Sequence, residues 1–125
     1  DMNQEKRDRA LKFIDTLSHF EFIKFHRVES RQHNYHLLVG VIEGNKRDMF
    51  INKMAFDNGI QCVVQYYPLN RYDLYKKLGF GKANCPDADT FFDNMVSFPF
   101  QSLMTDEDFN YMLERTKVLL SEIEL

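Results

Sequence analysis

Polar side chains that could bind a ligand cluster around one proline, in the stretch QYYPLNRY. Gln65, Tyr66, Asn70 and Tyr72 surround Pro68, and their amide and phenol groups donate and accept hydrogen bonds. An amide cannot act as a general base, so this stretch predicts recognition rather than proton transfer. Polar groups that converge beyond the end of a strand commonly contact ligands. The alternative is a polar strand end whose tyrosines half-bury their rings.

Histidines and cysteines are the residue types here that could bind a metal. The four histidines lie close together in the sequence, but no carboxylate or thiolate joins them at a recognisable ligand spacing, so we expect no metal site. Cys62 and Cys85 form no C-x-x-C pair and are expected to be free thiols in a reducing compartment, the cytoplasm. The four histidines are His19, His26, His33 and His36.

Composition and motifs narrow the function classes. A formal net charge of −3 gives no electrostatic basis for binding nucleic acid. The longest apolar run, LLVGVI, is far shorter than the ~20 residues of a membrane-spanning helix, so no membrane contact is expected. The sequence has no nucleophile elbow, P-loop, dinucleotide fingerprint or zinc-protease motif. Asp48, Asp73 and Asp108 stand where they would cap helices, so no catalytic residue is assigned.

Strands and helices must position these residues. Their predicted order indicates one α+β domain over residues 1–125, with a small, mainly antiparallel sheet and helices packed on it. Alternating or continuous apolar runs predict the strands, and apolar residues at helical spacing predict the helices. The predicted strands are Phe20–Phe25, Tyr35–Glu43, Ile60–Tyr66 and a short one in MVSFPF that Pro99 ends. The predicted helices are Asn3–Leu17, one that Asn45 caps and Gly59 ends, one that Asn70 caps and Gly79 ends, Pro86–Asn94, and a long one that Thr105 caps.

Alternation in the third predicted strand orients the polar stretch. It places Tyr66 on the apolar face with a packed ring, and Gln65 on the wetter face with its amide toward solvent. Several phenylalanines are assigned to the core: Phe50, Phe56, Phe91, Phe92 and Phe109.

Two long segments, NYHLLVGVIEGNKRDMFINKMAFDNGIQCVVQYYPLNRYDLY and CPDADTFFDNMVSFPFQSLMTDEDFNYMLERT, together cover nearly the whole chain. They resemble the C-terminal domain of the DegT/StrS family of pyridoxal-phosphate-dependent sugar aminotransferases. The shared features come in the same order: a Tyr-His strand, a helix before Gly-Ile, a strand running into His-Tyr-x-Pro-x-His, a helix begun by proline, a Ser-Leu-Pro strand and a Thr-Asp/Glu-Glu helix start. The resemblance implies the fold of the C-terminal domain of fold-type I aminotransferases.

Matched position by position, Gln65 replaces the first histidine of His-Tyr-x-Pro-x-His and Asn70 replaces the second, while Tyr66 and Pro68 are kept. The resemblance therefore implies that Gln65, Tyr66 and Asn70 contact the substrate. Since neither replacement titrates near neutral pH, no proton transfer is expected of them.

The resemblance also implies the reaction. The parent enzyme would transfer an amino group from an amino acid, with glutamate as the expected donor, to a keto-sugar nucleotide. In this family, the Schiff-base lysine and the groups that hold pyridoxal phosphate belong to a larger N-terminal domain, and nothing before Asn34 resembles that domain. We therefore expect the isolated chain to bind no cofactor, to be inactive, and to form part of a substrate cleft that the large domain completes.

Association is expected as well, as a homodimer. An apolar surface that would pack on the large domain should be exposed here, with Phe20, Phe22, Phe98 and Phe100 as its predicted members. The alternative function is a stand-alone small α+β ligand-binding or regulatory module without catalysis. A nucleic-acid-binding α+β domain is disfavoured by the net charge.

Overall fold

A three-stranded antiparallel sheet forms the centre of the fold in the computed structural model, which describes residues 1–28, 30–80 and 83–124. The strands are β1 (Ile23–Phe25), β2 (Leu38–Ile42) and β3 (Met95–Phe98), in the order β1-β2-β3. In the register, Gly40 of β2 stands opposite Phe25 on one side and Val96 on the other. The predicted α+β class with a small antiparallel sheet is confirmed, and the second predicted strand is the central one.

Among the described residues, five helices accompany the sheet, each where the sequence predicts one. They are α1 (Met2–Leu17), α2 (Arg47–Asn58), α3 (Asp73–Lys77), α4 (Pro86–Asn94) and α5 (Asp106–Glu124), with a 3₁₀ turn at Leu69–Arg71.

Two of the predicted helix boundaries have the expected chemistry. The side-chain oxygen of Thr105 accepts the backbone N–H of Asp108 at 3.0 Å, which satisfies an unpaired donor of the first turn of α5. Gly59 ends α2 in the left-handed conformation, with φ of 67°, and its N–H donates to the last carbonyls of the helix. The predicted Asn45 cap is wrong: Asn45 has φ of 57° and lies before the N-cap position, which Lys46 occupies without a side-chain bond.

The core lies between one face of the sheet and helices α1, α2 and α5. Phe13 of α1 is fully buried, and its ring lies 4.9 Å from that of Phe98 and 5.9 Å from that of Phe25, both edge-on. Gly40 lies where these rings cross β2, and a Cβ there would lie 3.0 Å from the Phe25 ring, so a larger residue would have to displace that ring slightly. Burial of this aromatic cluster supplies the main driving force for folding.

Two predicted strands differ most from the structure, although β2 is also shorter than the predicted Tyr35–Glu43. After α1, the N–H of Phe20 donates to Leu17 and the N–H of Ile23 donates to Phe20, so a tight turn occupies the start of the predicted Phe20–Phe25 strand. The predicted strand Ile60–Tyr66 is wrong: this segment forms no strand and meets β3 only in an isolated bridge at Val63. Apolar alternation alone therefore overestimated both strands, because it does not show where a ladder partner is present.

Several aromatic assignments are corrected by the packing. Phe50 and Phe109 are buried as predicted, but Phe56 is 85% exposed and Phe91 is 48% exposed. Phe56 lies on the face of α2 opposite to its buried residues. The prediction that Phe20 and Phe98 belong to an exposed apolar surface is wrong, because both are buried in the core. The other two predicted members, Phe22 and Phe100, are half-buried.

Candidate functional site

The stretch from Gln65 to Tyr72, which we call the Gln65–Tyr72 turn, leaves the sheet beside β3. Val63 and Ser97 exchange both backbone hydrogen bonds, at 3.0 and 2.8 Å. Two residues on, the backbone N–H of Gln65 points at the Met95 sulfur, 3.2 Å away. The turn is thus anchored at its start by the buried strand β3, and its remainder projects from the sheet.

Arg71 fixes the other end of the turn to helix α4. Its Nε donates to Asp89 at 2.6 Å, and its two Nη atoms donate to the two oxygens of Asp93 at 2.7 and 3.0 Å. The guanidinium also lies over the Phe92 ring, 5.4 Å from its centre. A planar guanidinium suits such paired carboxylate contacts, so Arg71 makes the charged contacts between the turn and α4.

The ion pairs change the protonation of their members. Hydrogen bonds from Arg71 lower the pKa of Asp93 below its ordinary value, and the positive charges of Arg71 and Arg47 act in the same direction. Hydrogen bonds to Asp93 and then to Asp89 raise the pKa of Arg71. Arg71 therefore stays charged and Asp93 stays ionised at neutral pH.

The sequence predicts that Asn70 caps a helix, and this prediction is wrong, because α3 begins only at Asp73. The amide nitrogen of Asn70 lies 3.4 and 3.3 Å from the two oxygens of Asp89. A carboxylate only accepts hydrogen bonds, so this contact fixes the orientation of the amide. Asn70 thus leaves its carbonyl oxygen for any other partner.

Aromatic rings fill the space between the turn and α4. The Tyr67 ring meets Tyr72 and Phe92 edge-on, with centres 4.9 and 5.4 Å apart. Tyr72 in turn meets Tyr75 of α3 at 6.1 Å. These edge-to-face contacts give the turn a small aromatic core of its own.

Tyr66 and Gln65 lie differently from the sequence prediction. The Tyr66 ring is not packed but 73% exposed. The side-chain oxygen of Gln65 does not face solvent: it is buried and has no hydrogen-bond partner among the described residues. Because the backbone leaves the sheet after Val63, the alternation that predicted both orientations does not extend to them.

Sequence reasoning missed the residues that hold this site together. Asp89 and Asp93 lie four residues apart, on one face of α4, and both face Arg71. That spacing is visible in the sequence. It becomes meaningful only once the fold brings α4 against the turn, 18 and 22 positions from Arg71.

Two cavities flank this region. One, of about 360 Å³, lies beside the turn and is mainly apolar; it is lined by Leu69, Asn70, Tyr75, Phe80, Ala83 and Cys85. The other, of about 530 Å³, opens on the second face of β1 and β2, with Phe91 of α4 at its rim and His26 and His33 in its wall. Cys62 is buried, Cys85 is half-buried, and both are free thiols, as predicted.

Lys6, Lys24 and Lys76 do not fit a Schiff-base site, which requires a desolvated amine. Burial lowers the pKa of Lys6, but its Nζ lies on the surface helix α1, 3.3 Å from a loop carbonyl. Lys24 and Lys76 are exposed and lie near Glu43 and Asp73. In the described part of the chain, no cluster of three or more His, Cys, Asp or Glu side chains could hold a metal. Nor is any helix among these residues long and apolar enough to cross a membrane.

A small antiparallel sheet with helices on it, and a polar turn that leaves the sheet beside its last strand, is the architecture of the small domain of fold-type I aminotransferases. The family model described as the DegT/DnrJ/EryC1/StrS aminotransferase family matches residues 1–117. The chain belongs to this family, as its resemblance predicts.

Among the solved structures with this fold are proteins described as aminotransferases, some of them as sugar aminotransferases. Spr1654 of Streptococcus pneumoniae, assigned as a sugar aminotransferase, superposes in its apo form with a TM-score of 0.82 at 26% identity, over 97% of this chain and 31% of that one. Its PMP form superposes with a TM-score of 0.81 at 28% identity, over 98% and 31%. PseC of Helicobacter pylori, an aminotransferase involved in the biosynthesis of pseudoaminic acid, shares the fold at 17% identity, with a TM-score of 0.83 over 96% and 33%.

A curated relative, the uncharacterized protein MJ1066 of Methanocaldococcus jannaschii, is 30% identical over 102 residues. That match covers 80% of this chain and 26% of MJ1066. The chain thus spans about a quarter of this relative and about a third of the solved neighbours, a share that fits a small C-terminal domain.

Proposed function

We propose that this chain is the small domain of a pyridoxal-phosphate-dependent aminotransferase that moves an amino group from glutamate to a keto-sugar nucleotide. Family membership and the sugar-aminotransferase neighbours support the reaction class. A neighbour in the PMP form supports the cofactor, which supplies the electron sink for amino transfer when bound. Lys6, Lys24 and Lys76 do not fit a cofactor-binding role, and the cofactor site is assigned to a large domain of the parent enzyme, which acts as a cytoplasmic homodimer.

The role proposed for this chain is to provide one wall of the substrate cleft. The observation that carries this proposal is that the backbone of the Gln65–Tyr72 turn is held at both ends while the side chain of Tyr66 is exposed. The turn is held at one end by β3 and at the other by Arg71, yet the Tyr66 ring is left 73% exposed. A large aromatic residue held out into solvent by a braced backbone is suited to contact a ligand or another domain.

Gln65, Tyr66 and Asn70 are the proposed substrate contacts. The buried oxygen of Gln65 has no donor in the described chain, and a buried acceptor without a donor costs stability. The Gln65 side chain as a whole is only half-buried, so a rotation of it would bring that oxygen to a hydroxyl group of a bound sugar. The carbonyl of Asn70, with its amide nitrogen turned to Asp89, offers a second acceptor on the same turn.

The experiment is to express the complete reading frame that contains this sequence and to assay it with glutamate and nucleotide-linked keto-sugars. We expect glutamate-dependent amination and a bound-cofactor absorbance band, while this chain expressed alone should show no band that survives dialysis. A reading frame that encodes only this chain, or a full-length protein without transfer activity, would contradict the proposal. Either result would favour the stand-alone ligand-binding module.

A further inference from the structure

We infer that the cavity on the second face of β1 and β2 binds a small organic anion, a carboxylate carried on an aromatic body. The cavity has a volume of about 530 Å³, within the size range of pockets that enclose small molecules. It is separate from the Gln65–Tyr72 turn, since none of its described lining residues belongs to that turn. The inference goes beyond the proposed function and does not depend on it.

The floor of the cavity is apolar. Val39 and Val41 lie two residues apart in the central strand β2, so their side chains share one face of the sheet. Both are only half-buried, whereas Ile42, on the opposite face, is fully buried. The rings of Phe25 and Phe91 add to the lining. An aromatic body bound here would remove from water apolar side chains that the described helices leave partly exposed.

Cationic and N–H-donating side chains line the same cavity. Lys24 of β1 stands opposite Val41 in the register, so its side chain lies on the same face of the sheet as the floor. The rings of His26 and His33 lie in the wall, with their centres 6.1 Å apart. None of the described lining residues carries a carboxylate, so an anion that enters meets no like charge from them.

Backbone contacts determine which nitrogen of His33 donates. The N–H of Tyr35 donates to His33 Nδ1 at 3.1 Å, so the neutral ring carries its proton on Nε2. Tyr35 is itself held in place, because it is buried and its hydroxyl bonds both the N–H and the C=O of Val28. His33 therefore brings an ordered N–H donor to the cavity wall, which lowers the entropy cost of binding.

Lys24 is available to a ligand at little cost. Its Nζ lies 2.6 Å from a carboxylate oxygen of Glu43, and the two side chains are 64% and 52% exposed. An exposed ion pair of this kind contributes little in water, so a ligand carboxylate can join or replace that of Glu43. Glu43 thus competes with the anion for one ammonium group, and its removal should strengthen binding.

The test uses the chain of 125 residues and two aromatic probes of the same shape. Naphthoate carries a carboxylate, and naphthalenemethanol has the same rings without the charge. Proton–nitrogen correlation spectra give the Kd of each probe and show which backbone amides shift. We expect the amides of Lys24, Val39 and Val41 to shift, and naphthoate to bind roughly three- to tenfold more tightly than the alcohol.

Three variants test the charge and the donor. Lys24→Met should raise the Kd of naphthoate roughly two- to fivefold and leave that of the alcohol unchanged. His33→Asn loses Nε2–H but keeps an acceptor for the N–H two residues on, a bond that the Asn34 side chain already makes at 3.1 Å. It should raise the Kd of naphthoate roughly two- to tenfold. Glu43→Gln should lower that Kd.

Lys76→Met is the matched control, since Lys76 is also exposed and lies near a carboxylate, that of Asp73. It should change neither Kd. No shift at the cavity with either probe, equal affinity for the two probes, or equal weakening in Lys76→Met and Lys24→Met would overturn the inference. These measurements involve neither the cofactor nor amino transfer, so their failure would leave the proposed function as it stands.

Discussion

The aromatic core around Phe13 and the Gln65–Tyr72 turn are both rich in aromatic residues, but they differ in how far these residues are buried. In the core, the rings of Phe13, Phe98 and Phe109 are buried to 3% exposure or less. From Tyr66 to Phe80, no residue is buried, although the segment is rich in tyrosine and leucine. The core holds its geometry by excluding water, while the turn holds its geometry by ion pairs and edge-on ring contacts.

That difference separates stability from recognition. Apolar burial contributes most of the folding free energy, whereas exposed ion pairs contribute little in water. The turn can therefore expose large side chains without endangering the fold. Substitutions in the core should act on stability, and substitutions in the turn should act on ligand affinity.

The largest effect is expected in the core. Phe13→Ala should lower the free energy of unfolding of this chain by about 3–5 kcal/mol, because it removes a ring that contacts three others and leaves a cavity. Urea denaturation followed by circular dichroism measures it. If the variant shows no cooperative transition, Phe13→Leu should show a smaller loss.

Phe56→Ala is the control for Phe13, with the same chemical change at an 85% exposed position. Its free energy of unfolding should fall by about 0.5 kcal/mol or less. Equal losses at the two positions would contradict the distinction between core and surface rings.

The rates of thiol labelling compare the core, through Cys62, with the region beside the turn, through Cys85. Burial raises the pKa of the Cys62 thiol to about 12, from 9.0, so its thiolate should be roughly a thousandfold scarcer near neutral pH. Cys85 lies at the start of α4 and lines the cavity beside the turn. With an aromatic disulfide reagent at pH 8, Cys85 should react first, and Cys62 only as the fold opens.

Single-cysteine variants assign the two rates. Cys85→Ser should remove the fast phase, and Cys62→Ser should remove the slow one. A fast phase that survives in Cys85→Ser would mean that Cys62 is accessible and that its burial is wrong.

The fold was more predictable than the site. Helices were found because their boundaries depend on local chemistry: Thr105 accepts the N–H of Asp108, and Gly59 adopts a left-handed conformation. The central strand was found because its apolar run is continuous. A strand was wrongly predicted at Ile60–Tyr66, since pairing depends on a distant partner that only Val63 meets.

For the candidate site residues, the sequence predicts a shared turn but not the orientation of their side chains. Gln65, Tyr66 and Asn70 do lie on one turn, yet their directions depend on residues far along the chain. Asp89 turns the amide of Asn70, and the end of the ladder at Val63 frees Tyr66 from the sheet. A periodic pattern describes one element at a time and cannot contain such contacts.

The smallest effect is expected at the ion pair that braces the turn. Because the pKa of Asp93 is lower in the folded state than in the unfolded state, the pair stabilises the fold above the unfolded-state pKa. This contribution is lost as the pH falls through the lower, folded-state pKa. Arg71→Met should raise the pKa of Asp93 toward its ordinary value, as measured by carbon NMR of the carboxyl groups.

Asp15 provides the internal reference for that titration. Its pKa is lowered by a hydrogen bond from Arg27 rather than from Arg71, and should not change in Arg71→Met. An Asp93 pKa that also stays low in the variant would show that Arg71 does not hold it.

The most direct test of the account measures the two half-reactions of the full-length enzyme separately in Tyr66→Phe. The account places Tyr66 against the sugar nucleotide, so the apparent constant for that substrate should rise several-fold, in line with the loss of one hydrogen bond of about 0.5–1.5 kcal/mol. The half-reaction with the amino-acid donor, and the free energy of unfolding, should stay unchanged. Equal losses in both half-reactions, with the fold intact, would contradict the assignment of this turn to substrate recognition.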